Sequence, residues 1–166
     1  RNPAVTVCHE LSTTMDLSPT LAKFGKAERS NDRNIDGHDI SGLMLGGKLE
    51  KSPYVAFYYY ERDQLQAVRS GPWKLFLPLD EFTKHPHFKL GKEASKDGSH
   101  ALLFNVVLDV DCSDDCASDH PEIVKRLSRL AEQARADLGD RERPGNGQRP
   151  AGKVGNPLPL LLKKAD

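Results

Sequence analysis

Reactive side chains in this 166-residue chain fall into two groups, cysteines beside an acidic stretch and histidines in a long polar segment. Cys112 and Cys116 stand four residues apart, shortly before His120, and Cys8 stands apart from them. This spacing could form a small disulfide, or could bind a metal ion together with His120. Structural zinc takes four such ligands, and an odd cysteine count argues against a closed disulfide framework. The third interpretation is therefore that Cys112 and Cys116 are ordinary thiols that neither pair with each other nor bind a metal.

The acidic stretch that surrounds these cysteines is a second place to look for a metal site. It carries five aspartates, namely Asp109, Asp111, Asp114, Asp115 and Asp119. A calcium-binding EF-hand loop needs a glycine and a terminal glutamate at fixed offsets, and this stretch has neither. We therefore expect an exposed acidic turn without a bound metal.

The polar segment at residues 78–100 contains His85 and His87 together with four lysines and two prolines. It has no steady apolar period, which predicts a long loop. Loops of this length in compact domains are usually functional or disordered. This segment is therefore the expected location of a binding contribution, and the alternative is that both histidines are exposed side chains without a role.

Three apolar and aromatic runs of strand length precede this loop. They span residues 54–60, 65–69 and 73–77. Turn signals separate them, which predicts an antiparallel meander, and residues 101–108 could add a fourth strand. In the second run the alternation places Leu65, Ala67 and Arg69 on one face. One sheet face is apolar and must be covered, and a plain sheet core without chemistry is the alternative to a functional site.

The clearest helix is predicted over residues 121–138, where an apolar stripe lies opposite charged side chains. Pro121 suits the first helical position and Gly139 a helix end. We expect this helix to cover the apolar face of the sheet.

The N-terminal residues 7–24 also have apolar side chains near helical spacing. Pro19 interrupts them, which predicts two helical pieces meeting at residues 16–20, the second ending at Gly25. Gly37 predicts a tight turn, and a short helical turn is expected at residues 41–45.

Composition limits the classes of partner. Lys plus Arg and Asp plus Glu both number 24, so the formal net charge is zero and no global field attracts nucleic acid or an anionic membrane. No apolar stretch approaches the roughly 18 residues of a membrane span. We therefore expect neither nucleic acid nor membrane as a partner. Because the chain begins at Arg1 without a signal-peptide pattern, its natural N-terminus is expected to lie upstream.

The order of the motifs resembles the C-terminal region of formylglycine-dependent sulfatases, the arylsulfatase family. Residues 16–20 resemble the family's Asp-Leu-x-Pro-Thr helix, and residues 35–40 resemble its Asp-Gly turn. Residues 67–74 read Ala-Val-Arg-Ser-Gly-Pro-Trp-Lys and resemble its Ala-Val-Arg-x-Gly-x-Trp-Lys hairpin. Residues 103–109 and 117–122 resemble its Leu-Tyr-Asp-Leu and His-Pro-Glu region. Together the matches span nearly the whole chain.

The resemblance implies hydrolysis of a sulfate ester by a hydrated formylglycine, assisted by a calcium-type ion that polarises the sulfate oxygens. No Cys-x-Pro-x-Arg or Ser-x-Pro-x-Arg segment is present to supply the formylglycine, and the family's paired metal ligands have no match. The chain is therefore expected to lack the N-terminal catalytic part and to have no catalytic residue, metal ligand or cofactor of its own. Location outside the cytoplasm, whether periplasmic, secreted or lysosomal, is implied for the parent enzyme.

The resulting fold class is α+β, an antiparallel sheet of about four strands packed by a C-terminal helix and preceded by a helical segment of an α/β catalytic domain. Residues 1–50 would end that domain, residues 51–140 would form the C-terminal subdomain, and residues 141–166 an extended tail. The subdomain would form one wall of the active cleft, with His85 and His87 reaching toward an anionic substrate.

Three functions follow as hypotheses. The chain is a sulfatase C-terminal region that is inactive alone, or an independent binding module for sulfated sugars, or a small thiol or metal protein built on Cys8, Cys112 and Cys116. If residues 7–24 normally pack on a catalytic domain, their apolar stripe is exposed here. The isolated chain would then self-associate or bind that domain.

Overall fold

The computed structural model describes residues 7–28, 34–46, 51–78, 100–150, 153 and 155–156. Four strands form its sheet: β1 (Phe57–Glu61), β2 (Gln64–Ser70), β3 (Trp73–Phe76) and β4 (Leu102–Asn105). Its α-helices are α1 (Leu17–Phe24), α2 (Ser41–Met44) and α3 (Pro121–Leu138), and a 3-10 turn at Thr14–Asp16 precedes α1. The predicted α+β class is confirmed. Among these described helices none is long and apolar enough to cross a membrane.

The strands follow one another in the order β1-β2-β3-β4, each antiparallel to its neighbour, which confirms the meander. Helix α3 packs on β2 and β3 and covers one face of the sheet. The core lies between them, and its fully buried members are Leu65, Val68, Leu75, Leu103, Leu127 and Ala131. Each buried leucine stabilises the fold by about 1.5–3 kcal/mol, so this layer holds α3 in place.

A register shift in β2 changes which side chains face α3. Tyr58 pairs with Val68 and Tyr60 pairs with Leu65, so three residue steps on β2 match two on β1. The extra residue is Gln66, and it places Leu65 and Val68 on the same face. The predicted grouping of Leu65 with Ala67 and Arg69 is therefore wrong, because strict alternation fails across a bulge.

Helix α3 has the predicted limits. Pro121 occupies its first position, and the backbone N–H of Gly139 donates to the carbonyl of Arg135 where the helix ends. Gly139 has a φ of 87°, which a glycine adopts without strain. The hydroxyl of Tyr60 donates to the Gly139 carbonyl at 2.8 Å, so the helix end is attached to β1.

The N-terminal region agrees only in part with its prediction. Helix α1 ends before Gly25 as expected, and α2 is the expected helical turn. The earlier helical piece is limited to the 3-10 turn, and residues 7–13 form no helix. The reason is local: Thr13 is extended and its hydroxyl accepts the N–H of Met15, while Asp16 accepts the N–H of Thr13. This capping box begins the helix at Thr14.

Gly37 is needed for a different reason than the predicted turn. A Cβ atom built there would lie 2.0 Å from the carbonyl oxygen of Met15, and its φ lies outside the left-handed region. The backbone of residues 35–40 therefore packs directly against the turn that precedes α1.

The described part of the predicted tail lies on α3 and on the N-terminal region. The N–H groups of Asn146 and Gly147 donate to the carbonyls of Ala136 and Asp137. Arg149 forms an ion pair with Asp36 at 2.5 Å. The division of the chain at residues 50 and 140 stays a prediction.

Candidate functional site

The two histidines predicted to contact substrate, His85 and His87, lie outside the described residues, as does nearly all of the loop that carries them. Two described histidines have aromatic neighbours. The ring of His38 lies edge-on to Tyr54, with 4.9 Å between centroids, and the ring of His120 lies 4.7 Å from Trp73. His38 lies in the segment between α1 and α2, and His120 directly precedes α3, so both ring contacts are packing contacts between neighbouring segments.

The three cysteines are free thiols in the structure, so Cys112 and Cys116 form no disulfide. Burial raises the pKa of Cys112 and of Cys116, which keeps both protonated at neutral pH. The thiol of Cys116 donates to the carbonyl of Leu103 at 3.1 Å. Within the described ranges, no three His, Cys, Asp or Glu side chains are grouped as metal ligands.

Two aspartates of the acidic stretch hold its backbone in place. The Asp109 carboxylate accepts the N–H groups of Ser113 and Asp114, and these bonds lower the pKa of Asp109. The Asp115 carboxylate accepts the N–H of Leu103 at 2.9 Å and thereby attaches the loop to β4. These carboxylates act as backbone acceptors in a surface loop.

Helix α1 exposes an apolar stripe. Leu17, Leu21 and Phe24 recur at helical spacing and are 45%, 60% and 45% exposed, respectively, whereas Pro19 and Thr20 are buried. The hydroxyl of Thr20 accepts the N–H of Ile40, which fixes the inner side of α1 on the segment before α2. The α1 stripe, meaning these three side chains, therefore faces away from the rest of the described protein.

The sheet face opposite α3 carries a row of four side chains at matched register. Phe57 pairs with Arg69, Arg69 pairs with Lys74, and Lys74 pairs with Phe104, so the row crosses all four strands. Two cations thus stand side by side at its centre, with an aromatic side chain at each end. We call these four residues the cationic row.

The ammonium group of Lys74 lies between two further rings of the same face. Its nitrogen is 4.4 Å from the ring centroid of Tyr59 and 4.6 Å from that of Phe76. Burial lowers the pKa of Lys74, and the nearby Arg69 lowers it as well. Arg69 is half-buried, and its Nε donates to the carbonyl of Gly71 at 3.2 Å. In the described ranges neither cation has a carboxylate within ion-pair distance.

The cationic row was not predicted from the sequence, although one signal for it was present. A two-residue turn at Gly71 and Pro72 pairs Ser70 with Trp73, and the next pair outward is then Arg69 with Lys74. The turn length therefore predicts the pairing of Arg69 with Lys74, whereas the positions of Phe57 and Phe104 in the row depend on how β1 and β4 align with their neighbours.

Comparison with known proteins relates the chain to one enzyme family, although no family model matches it. An arylsulfatase from Hemicentrotus pulcherrimus is 30% identical over 124 residues, which cover 74% of this chain and 21% of that protein. The N-acetylgalactosamine-6-sulfatase of Canis lupus familiaris is 40% identical over 74 residues, which cover 45% of this chain and 14% of that protein. Arylsulfatase A of Bos taurus is 42% identical over 73 residues, which cover 41% of this chain and 14% of that protein.

A solved structure from a study of glycosaminoglycan metabolism in Bacteroides thetaiotaomicron has a TM-score of 0.49 and 23% identity, covering 72% of this chain and 24% of that one. The chain spans 21% or less of the length of these three curated relatives. The names of the relatives agree with the motif order described above. The chain belongs to the sulfatase family and corresponds to the C-terminal region of these enzymes.

Proposed function

We propose that this chain is the supporting C-terminal subdomain of an enzyme that hydrolyses sulfate esters, and that it is inactive alone. Its relatives carry sulfatase names, and the matched regions are between 14% and 21% of their length. The sequence has no Cys-x-Pro-x-Arg segment to supply a formylglycine. The nucleophile and a calcium-type divalent ion would therefore belong to the catalytic part of the parent enzyme, outside the cytoplasm.

The observation that carries this proposal is the exposed α1 stripe. Water remains in contact with the three large apolar side chains of this stripe, and removing that water by binding a partner would be favourable. Complete burial of each would contribute about 1.5–3 kcal/mol, and roughly half of that remains available here. A stripe of this kind fits a partner with its own apolar surface, and we assign that partner as the catalytic domain of the same enzyme.

The subdomain would then form one wall of the active cleft. In this arrangement His85 and His87 are the proposed contacts to an anionic sulfate ester, because histidine side chains can donate hydrogen bonds to sulfate oxygens. The division at residues 50 and 140 belongs to the same proposal, with α1 and α2 on the catalytic side. The relatives are enzymes by name, and they give no support to an independent sugar-binding module.

Activity and association test the proposal together. The isolated chain, assayed on an aryl sulfate with added calcium, should show no turnover, and measurable turnover would refute its inactivity. Co-expression with the formylglycine-bearing domain of the same enzyme should give a stable complex. The substitution Leu21→Glu should weaken that complex by at least about tenfold, because it buries a charge.

Ser18→Glu is the matched control, because Ser18 is exposed on α1 about a quarter turn from the stripe. Its added charge lies at the helix N-terminus, where it is tolerated. Equal weakening by both substitutions would contradict docking through the stripe. Without the catalytic domain, sedimentation should show concentration-dependent self-association that Leu21→Glu reduces. A monomer at high concentration with α1 ordered would count against the proposal.

A further inference from the structure

We propose that Arg69 and Lys74, at the centre of the cationic row, form a binding site for a small oxyanion such as sulfate or phosphate. The site lies on the sheet face opposite α3 and is separate from the α1 stripe. The inference does not depend on the proposed docking to a catalytic domain, and it holds for the chain by itself.

The first argument is the unfavourable placement of two like charges. Arg69 and Lys74 are direct cross-strand partners, and like charges at such positions destabilise a sheet. The proximity of Arg69 contributes to the lowered pKa of Lys74, so the two side chains interact electrostatically. An anion between them would convert this repulsion into two favourable interactions.

The second argument is that, among the residues the structure describes, none neutralises these charges. Tyr59 and Phe76 present ring faces to the Lys74 ammonium, and such contacts are favourable by about 0.5–2 kcal/mol but leave the charge in place. The thiol of Cys112 is also near Lys74, but burial raises the pKa of that thiol and keeps it uncharged. Within the described ranges, the half-buried ammonium therefore has no negatively charged partner, and an anion there would compensate the cost of burying its charge.

The third argument is the set of donors that remains. Arg69 uses its Nε on the Gly71 carbonyl, and its two terminal nitrogens make no hydrogen bond to a described residue. A guanidinium edge can bind two oxygens of a tetrahedral oxyanion, while the ammonium of Lys74 adds a third donor as a point charge. Because the aromatic side chains exclude part of the water, these contacts would be stronger than on an open surface.

Calorimetric titration of the chain with sodium sulfate at constant ionic strength tests the site. We expect saturable binding at one site per chain. The substitutions Lys74→Met and Arg69→Met should each weaken binding by at least about tenfold, since each removes a charged hydrogen-bond donor. Lys125→Met is the matched control, because Lys125 is exposed on α3, and it should leave the affinity unchanged.

Further titrations and a spectroscopic readout complete the test. Phosphate should bind at the same site, and acetate, with a planar group and a single charge, should bind more weakly. Sulfate should shift the side-chain NMR signals of Arg69 and Lys74 in the unmodified chain, so the assignment does not rest on the folding of a variant. Absence of saturable sulfate binding, or equal weakening by Lys125→Met, would overturn the inference.

Discussion

The carboxylate of Asp16 and the hydroxyl of Tyr54 form a hydrogen bond that joins the start of α1 to the segment leading into β1. The same carboxylate accepts the N–H of His38 at 2.8 Å and the N–H of Thr13 at 2.7 Å. Asp16 is completely buried, although it lies only a few residues from the exposed α1 stripe. One side chain therefore holds together three segments that are distant in sequence.

Loss of the Asp16 carboxylate should destabilise the fold. Asp16→Ala leaves the N–H groups of His38 and Thr13 without their acceptor, and we expect a loss of about 3 kcal/mol in the free energy of unfolding. Tyr54→Phe removes only one hydrogen-bond donor to Asp16 and should lower the free energy of unfolding by about 1–2 kcal/mol. Urea unfolding followed by circular dichroism measures both, and a larger loss for Tyr54→Phe than for Asp16→Ala would contradict this assignment.

The Asp16 carboxylate should also make stability depend on pH. Burial by itself would raise the pKa of Asp16, but the hydrogen bonds from His38, Tyr54 and Thr13 outweigh it and hold the pKa below its ordinary value. The stabilisation is therefore complete above the unfolded-state pKa and is lost as the pH falls through the lower folded-state pKa. We expect the difference in stability between the unmodified chain and Asp16→Asn to shrink between about pH 5 and pH 2. A difference that stays constant over this range would exclude the effect.

The close approach at Gly37 predicts an intolerance of any side chain. Gly37→Ala places a Cβ atom 2.0 Å from the Met15 carbonyl oxygen, so the backbone must move, and we expect a loss of about 3 kcal/mol or more. Gly25→Ala is the control, since its Cβ would lie 3.4 Å from its nearest neighbour and its φ is −78°. Thermal unfolding should show a large decrease for the first variant and little change for the second.

The sequence predicts the elements of this fold better than the contacts between them. Helix α3 and the meander follow from local periodicity and turn residues, which act within a few positions. The bulge at Gln66 depends on how β1 and β2 align, and the bond between Asp16 and Tyr54 joins residues 38 positions apart. Such pairings arise only when the chain has packed. The pairing of Arg69 with Lys74 is easier to predict than these contacts, because the short turn between β2 and β3 sets its register.

The end of α3 contains an ion pair whose loss should be measurable. Asp140 accepts the Nε–H of Arg135 at 2.6 Å and the N–H of Leu65 at 3.1 Å, and the Arg135 and Asp140 side chains are 17% and 12% exposed, respectively. Asp140→Ala should lower the free energy of unfolding by about 2 kcal/mol, because it leaves the largely buried guanidinium of Arg135 with fewer partners. The matched control is Asp114→Ala, an exposed position that should change stability by less than about 0.5 kcal/mol. A double-mutant cycle with Arg135→Met should show coupling, and additive losses would mean that the pair contributes nothing.

The three thiols should differ in reactivity according to their surroundings. Cys8 is exposed, whereas Cys112 and Cys116 are half-buried and burial raises the pKa of both thiols. Because the thiolate is the reactive form, we expect iodoacetamide to label Cys8 at least about tenfold faster than the other two at pH 7.5. Peptide mass spectrometry over a time course gives the three rates. In denaturant the three rates should converge, which separates an effect of the fold from an effect of neighbouring sequence. If Cys112 reacts as fast as Cys8 in the folded chain, the loop that carries it opens more readily than its hydrogen bonds through Asp109 indicate.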